Sequence, residues 1–242
     1  MKSTTETGHA KNVANFKKLI IFCQGYGAMF NPSNSDLQLP QVLPLLTTAQ
    51  DSLKLVTRKN TTYNNAVNNR INEYVDLKPL ATRLMNALQT TKASDEKVDD
   101  AKGFNRKIQG KRASKIETIT DPDAPAPKTI SASQQSYDQL NQHFEGLVSV
   151  LESESTYTPN ETDLQLTTLN AKLIALENAN EAVATAHTDL SNARVDRNKK
   201  MYTNANSLVD IALEIKKYIK SVYGAKSPEF AQVEAIPFRK IK

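Results

Sequence analysis

Apolar positions recur at three- and four-residue steps over most of the chain, the spacing that lines one face of a helix. From about Ser133 to Glu152, Tyr137, Leu140, Phe144, Leu147 and Leu151 form such a stripe and predict a helix. A second stripe begins near Asp163 and passes through Leu169, Leu173, Leu176, Asn180, Val183, His187, Leu190, Arg194 and Arg197. Ala175, Ala179, Ala182, Ala186 and Ala193 widen that face, and small residues permit close helix approach. Between the stripes, residues 153–160 carry proline and small polar residues that interrupt helix. Neither Pro nor Gly occurs between Asn160 and Gly224, so one helix of about 60 residues, roughly 90 Å long, is one reading. A break near Tyr202–Asn206 is the other, because Thr and Asn are poor helix formers. Gly224, with Pro228 four residues on, predicts the final stop.

The same layout occurs earlier in the chain. Asn31-Pro32-Ser33-Asn34-Ser35-Asp36-Leu37-Gln38-Leu39 matches Thr158-Pro159-Asn160-Glu161-Thr162-Asp163-Leu164-Gln165-Leu166, 127 positions later. That offset pairs Val56 with Val183, Ala66 with Ala193 and Arg70 with Arg197. Upstream it becomes 128, pairing Phe16 with Phe144 and Leu19 with Leu147. Downstream it becomes 131, pairing Leu77 with Leu208, Leu80 with Ile211, Ala81 with Ala212, Leu84 with Ile215 and Leu88 with Ile219. The downstream step is about one helical turn, so helical phase is kept. Pro40 and Pro44 mark the start of the first long helix. Pro79 falls where the later segment has Tyr202–Asn206, and proline suits the first turn of a new helix, which favours the break.

The predicted fold is therefore all-α: an elongated antiparallel helical bundle built from two tandem helical repeats, residues 1–90 and 131–225, in one integrated domain. A single repeat would not easily bury its apolar face alone. Residues 91–130 have no counterpart and read as a flexible basic and Pro-rich linker, ending in Asp121-Pro122-Asp123-Ala124-Pro125-Ala126-Pro127. Residues 226–242 read as a basic C-terminal tail.

Composition supports helix-on-helix packing. Aromatic residues make up 6% of the chain with no Trp, so the core is aliphatic. The single cysteine, Cys23, excludes an internal disulfide framework. The net charge of +5 is uneven: +5 over residues 1–90, +2 over 91–130 and −2 over 131–242, a mild bias toward docking of the two segments. The N-terminus is polar through Asn15 and the first apolar run, Leu19 to Cys23, is too short for an export signal or a membrane span. The expectation is a cytoplasmic protein, with non-standard secretion compatible with the same residues.

Catalytic chemistry finds little footing. His9, His143 and His187 are scattered outside any metal-binding spacing, and no Glu-x-x-His pair marks a di-iron bundle. His187 reads as a polar seam residue, Glu152 and Glu154 as solvated carboxylates at a helix end, and Gly25-Tyr26-Gly27 as a helix C-terminus. No enzyme, cofactor or metal is expected. The candidate contacts are cationic. Arg70 and Arg197 share one repeat position, and two converging guanidinium groups would make an anion site; the alternative is local pairing with a carboxylate such as Glu73. From Ala101 to Lys115 there are six cations and no acid, among them Arg106, Lys107, Lys111 and Arg112. These are candidate contacts for nucleic acid or an anionic membrane surface, although Phe104 alone offers stacking. Asn64, Asn65, Asn68, Asn69 and Asn72 form an amide-rich patch, either a solvated face or a partner surface.

Several phrases resemble a family of uncharacterised proteins of similar length from Bacteroidota: Thr7-Gly8-His9-Ala10-Lys11-Asn12-Val13-Ala14-Asn15-Phe16, Gln109-Gly110-Lys111-Arg112-Ala113, Leu190-Ser191-Asn192-Ala193-Arg194 and Leu208-Val209-Asp210-Ile211-Ala212. The resemblance spans essentially the whole chain and implies a bacterial protein, with no activity attached. The leading functional expectation is a non-enzymatic helical scaffold that binds another macromolecule or self-associates. Two alternatives are a membrane-active protein similar to α-helical pore-forming toxins, suggested by the amphipathic helices and Leu19–Phe30, and a nucleic-acid binder acting through the basic linker.

Overall fold

The computed structural model describes residues 8–111 and 135–241. Every regular element among them is helical: α1 His9–Gly25, α2 Leu39–Tyr74, α3 Leu77–Gln89, α4 Asp95–Gln109, α5 Tyr137–Glu152, α6 Leu166–Asn198, α7 Leu208–Tyr223 and α8 Pro228–Glu234. Short 3₁₀ turns at Ser35–Leu37 and Thr162–Leu164 precede the two long helices, α2 and α6. These turns, like the starts of α2 and α6, lie 127 positions apart.

Both long helices end where the sequence weakens. The last turn after α6, Lys199–Thr203, is π-helical, and Asn206 then adopts φ 59°, a left-handed conformation that Asn tolerates. Ser207 begins α7 as its N-cap, accepting a hydrogen bond from the Asp210 amide. In the earlier segment α2 stops at Tyr74 and α3 starts at Leu77, with Pro79 in its first turn. Gly25 ends α1, and Gly27 follows at φ +56°.

The inward stripe of the long helices follows a seven-residue step: Val42, Ala49, Val56, Tyr63 and Arg70 on α2, and Leu169, Leu176, Val183, Leu190 and Arg197 on α6, all buried or half-buried. The companion positions shift along α6. Leu173 and Asn180 face inward in its first half, whereas Ala186 and Ala193 are buried in its second half and His187 and Arg194 are exposed. The switch falls at Ala186, where α6 passes from one compact unit into the other, so each half buries the face that its own unit covers. The expected seam places for His187 and Arg194 are corrected accordingly; His187 lies on the surface, its ring 5.7 Å from that of Tyr63.

The chain divides into two compact units, and the division falls inside α2 and α6 rather than between the two matching segments: the first unit holds the described residues up to Tyr63 together with those from Ala186 onward, the second the described residues of Asn64–Thr185. In the first unit, Phe16, Leu19, Ile20 and Cys23 of α1 pack with Ile211, Ala212, Ile215 and Ile219 of α7, and Phe230 and Val233 of α8 close the same core. In the second, Leu77, Ala81, Leu84 and Leu88 of α3 pack with Phe144, Leu147 and Leu151 of α5 and with Ala101 and Ile108 of α4. Each core thus joins the short first helix of one segment to the helix after the break of the other.

Two linker expectations are corrected. Residues 95–109 form α4, capped by the Ser94 hydroxyl and ended by Gly110 at φ +73°. Val98, Ala101, Phe104 and Ile108 supply its inward face against the second core. Residues 112–134, including the Pro-rich run, lie outside the described residues. The expected basic tail contains α8, and beyond it Phe238 and Ile241 pack on the first core. Lys216 Nζ donates to the Glu234 and Ile236 carbonyls at 2.8 and 3.0 Å, and Lys240 pairs with Asp210 at 2.8 Å, fixing this stretch.

His143 of α5 is buried, and its Nε2 makes no hydrogen bond. Burial, reinforced by Lys107, holds its pKa below the ordinary value of 6.5. Below pH 6.5 the unfolded chain therefore binds a proton that the folded chain refuses, so this contribution to stability is intact above 6.5 and lost as pH falls beneath it. Urea midpoints at pH 7.5 and 5.5 should differ less for His143→Leu than for the wild type. An unchanged difference would show that His143 does not titrate on unfolding.

Candidate functional site

Arg70 and Arg197 lie in different units and have closely matched surroundings. In the second unit, Arg70 of α2 reaches Tyr137, the first residue of α5, and its guanidinium carbon lies 4.0 Å from the ring centroid. Tyr74, one turn later, meets the Tyr137 ring edge-on at 4.7 Å. The Tyr74 hydroxyl bonds the Asn141 side-chain oxygen and accepts a hydrogen bond from Asn180 Nδ2 at 3.0 Å. Burial pushes this phenol up to about 12, so it remains a neutral donor. The Arg70 Nε is buried without a hydrogen-bond partner. The aromatic face offsets part of that desolvation through its negative quadrupole.

In the first unit, Arg197 of α6 lies beside His9, the first residue of α1, and Tyr202 follows in the π-helical turn. His9 Nδ1 and the Tyr202 hydroxyl are 2.8 Å apart, and Asn12 Nδ2 donates to the same hydroxyl at 3.2 Å. Asn12 also bonds both backbone groups of Arg239, donating to its carbonyl at 2.7 Å and accepting from its amide at 3.2 Å. His9 corresponds to Tyr137, and Tyr202 to Tyr74, at an offset of 128. The same residue types recur, an arginine beside a helix-starting ring and a tyrosine that meets that ring, but the outcome differs. Tyr137 covers Arg70, whereas His9 turns to Tyr202 and Arg197 opens onto a pocket of about 350 Å³.

That pocket is lined by His9, Lys11, Leu53, Val56, Thr57 and Arg197, with Gly8 and Ala10. Among the described residues no carboxylate lines it and none forms an ion pair with Arg197. Arg197 instead donates from Nε and Nη2 to Asn198 Oδ1, at 3.1 and 2.9 Å. Burial lowers the pKa of Arg197, and burial followed by the Arg197 charge lowers that of His9, so the ring stays neutral near pH 7.

The other predicted cations have a structural explanation. Arg106 and Lys107 occupy the last turn of α4, and Asp95 and Glu96 its first, the order that complements a helix dipole. Lys107 lies 5.6 Å from the Phe104 ring, and the Lys111 amide completes the C-cap by bonding the Arg106 carbonyl at 3.0 Å. Arg112 lies outside the described residues. Glu154, expected in solvent, is buried: Thr156 donates to it from hydroxyl and amide, Lys97 Nζ lies 3.1 Å away, and together they hold its carboxyl at about 2. Burial pushes the Cys23 thiol up to about 12, which leaves no thiolate for chemistry near neutrality. No described helix is long and apolar enough to cross a membrane.

No protein family, curated protein or solved structure matches the chain.

Proposed function

We propose that the chain is a non-enzymatic helical scaffold, derived from a tandem duplication, whose work is to bind another protein. The supporting observation is the uncharged outer face of α2 in the second unit. Asn64, Asn65, Asn68, Asn69 and Asn72 are all exposed, and Ile71 and Val75 beside them are 49% and 75% exposed. Residues 64–75 hold two charges, Arg70 and Glu73, and both side chains are drawn to partners within the second unit. The matching residues 191–202 hold five, namely Arg194, Asp196, Arg197, Lys199 and Lys200. The same helical position thus tolerates a charged surface, so the scaffold alone does not require the amides. Charge depletion with exposed apolar side chains is the composition of an interface core.

A photo-crosslinking residue at Asn65, introduced into the full chain in its native cells, tests this. The control is the same residue at Asn192, the exposed position 127 residues later. A discrete protein adduct from Asn65 and none from Asn192 is expected. Equal adducts, or none from either, would overturn the assignment, and the adduct mass separates a second copy of the chain from a different protein.

A further inference from the structure

The pocket at Arg197 stands apart from the α2 face and rests on different residues. We infer that it is a binding site for a carboxylate carried on an apolar body. A guanidinium presents five N–H donors. The two bonds to Asn198 occupy Nε and one Nη2 hydrogen, which leaves three donors, including both on Nη1. A planar fork with adjacent free donors matches the two oxygens of a carboxylate.

The electrostatic setting favours the same ligand. Arg197 is half-buried, the one acid of its own helix turn, Asp196, holds Lys200 at 2.7 Å, and the described lining includes the basic residues His9 and Lys11. A half-buried cation facing a pocket with no acid among its described lining residues is an arrangement that an incoming anion favours. Arg70 shows what the scaffold does when no ligand is needed: Tyr137 lies across the guanidinium. At the matching place the His9 ring is engaged by Tyr202, and Arg197 lines a pocket instead.

The remaining lining decides between anions. Leu53 and Val56 give the pocket an aliphatic wall, and the Thr57 hydroxyl is already committed to the Leu53 carbonyl at 3.2 Å. Inorganic phosphate or sulfate would leave that wall uncovered. A carboxylate with a short apolar chain uses both halves. The volume of about 350 Å³ is at the small end of ligand sites.

The chain's three histidines make the test direct. The ring signals of His9, His143 and His187 are to be followed by NMR while the full chain is titrated with octanoate. The titration is repeated with an N-acetylated tripeptide ending in a free Leu carboxylate, with its C-terminal amide, and with inorganic phosphate at matched ionic strength. Saturable movement of His9 with His143 unmoved is expected for at least one carboxylate. Octanoate alone would identify a free small acid as the ligand, and the peptide acid alone a protein C-terminus. In Arg197→Gln the affinity should fall about 10- to 100-fold, the range of a lost hydrogen bond to a charged group; Arg197→Lys, which keeps the charge without the fork, should weaken it less and serves if the glutamine variant does not fold. A still His9 signal, equal binding of the amide or of phosphate, or undiminished affinity in a folded Arg197 variant would each overturn the inference.

Discussion

Phe144→Ala should lower stability by about 3–5 kcal/mol, the range for emptying a buried aromatic site. It should also raise amide exchange through α3, α4 and α5 while α1, α7 and α8 keep their protection. Phe144 has no exposed surface and lies among Leu84, Leu88, Leu147 and Ile108 in the second core. Phe16, its match 128 positions earlier, is equally buried but belongs to the first core with Ile215 and Ile219. Phe16→Ala should therefore loosen α1, α7 and α8 instead.

The pattern matters more than the size. Phe16 and Leu88 come from the same segment, yet they belong to different cores. If each segment folded as a self-contained repeat, Phe16→Ala would expose α3 and spare α7. Hydrogen exchange resolves the two outcomes directly, since local opening follows cooperative units. Phe144→Leu, which leaves a smaller void, provides the same map should the alanine variant unfold.

Much of the helical layout is legible because it rests on local signals: apolar spacing, Pro79, Gly224, and the Thr-Asn stretch at which the π-helical turn ends. What escaped was decided by tertiary contact. The inward residues of α4, Val98, Ala101, Phe104 and Ile108, do have helical spacing, but residues 95–109 carry four acids and four bases, and that charge reads as solvated linker. Its sign order, acids first and cations last, is the local signal of a helix there. Glu154 was read as solvated because its partner Lys97 belongs to that same unrecognised helix. Arg197 was identified from its match with Arg70, whereas its companion was not. His9 precedes it by 188 positions, and the match of His9 with Tyr137, like that of Tyr202 with Tyr74, links the two arginine settings. A residue's neighbour across a fold is absent from any local pattern, and a match between distant segments supplies it only once one of the two settings has been seen.

Gly146→Val should displace α4 from α5 at a cost of about 1–3 kcal/mol, the usual penalty of overpacking. A Cβ at Gly146 would fall on Cε1 and Cζ of the Phe104 ring, closer than two non-bonded carbons can approach. Valine adds two further methyl groups at that point, and the Phe104 ring has to leave. Because α4 also carries Lys97, its displacement should separate that ammonium from Glu154. The Glu154 carboxyl, held at about 2 chiefly by the Thr156 hydroxyl and amide and then by Lys97, should rise part of the way toward its ordinary 4.5. This adds a pH dependence whose sign is fixed. The wild-type contribution from Glu154 is present above pH 4.5 and lost as pH falls toward 2, so the variant should lose less on acidification. Combining Gly146→Val with Phe104→Ala should be less harmful than the sum of the two single changes, since the clash and the void compensate. Strict additivity in urea midpoints, or a Glu154 titration unaltered in Gly146→Val, would mean that the ring yields without moving the helix, and that the seat of α4 depends on Ala101 and Ile108 alone.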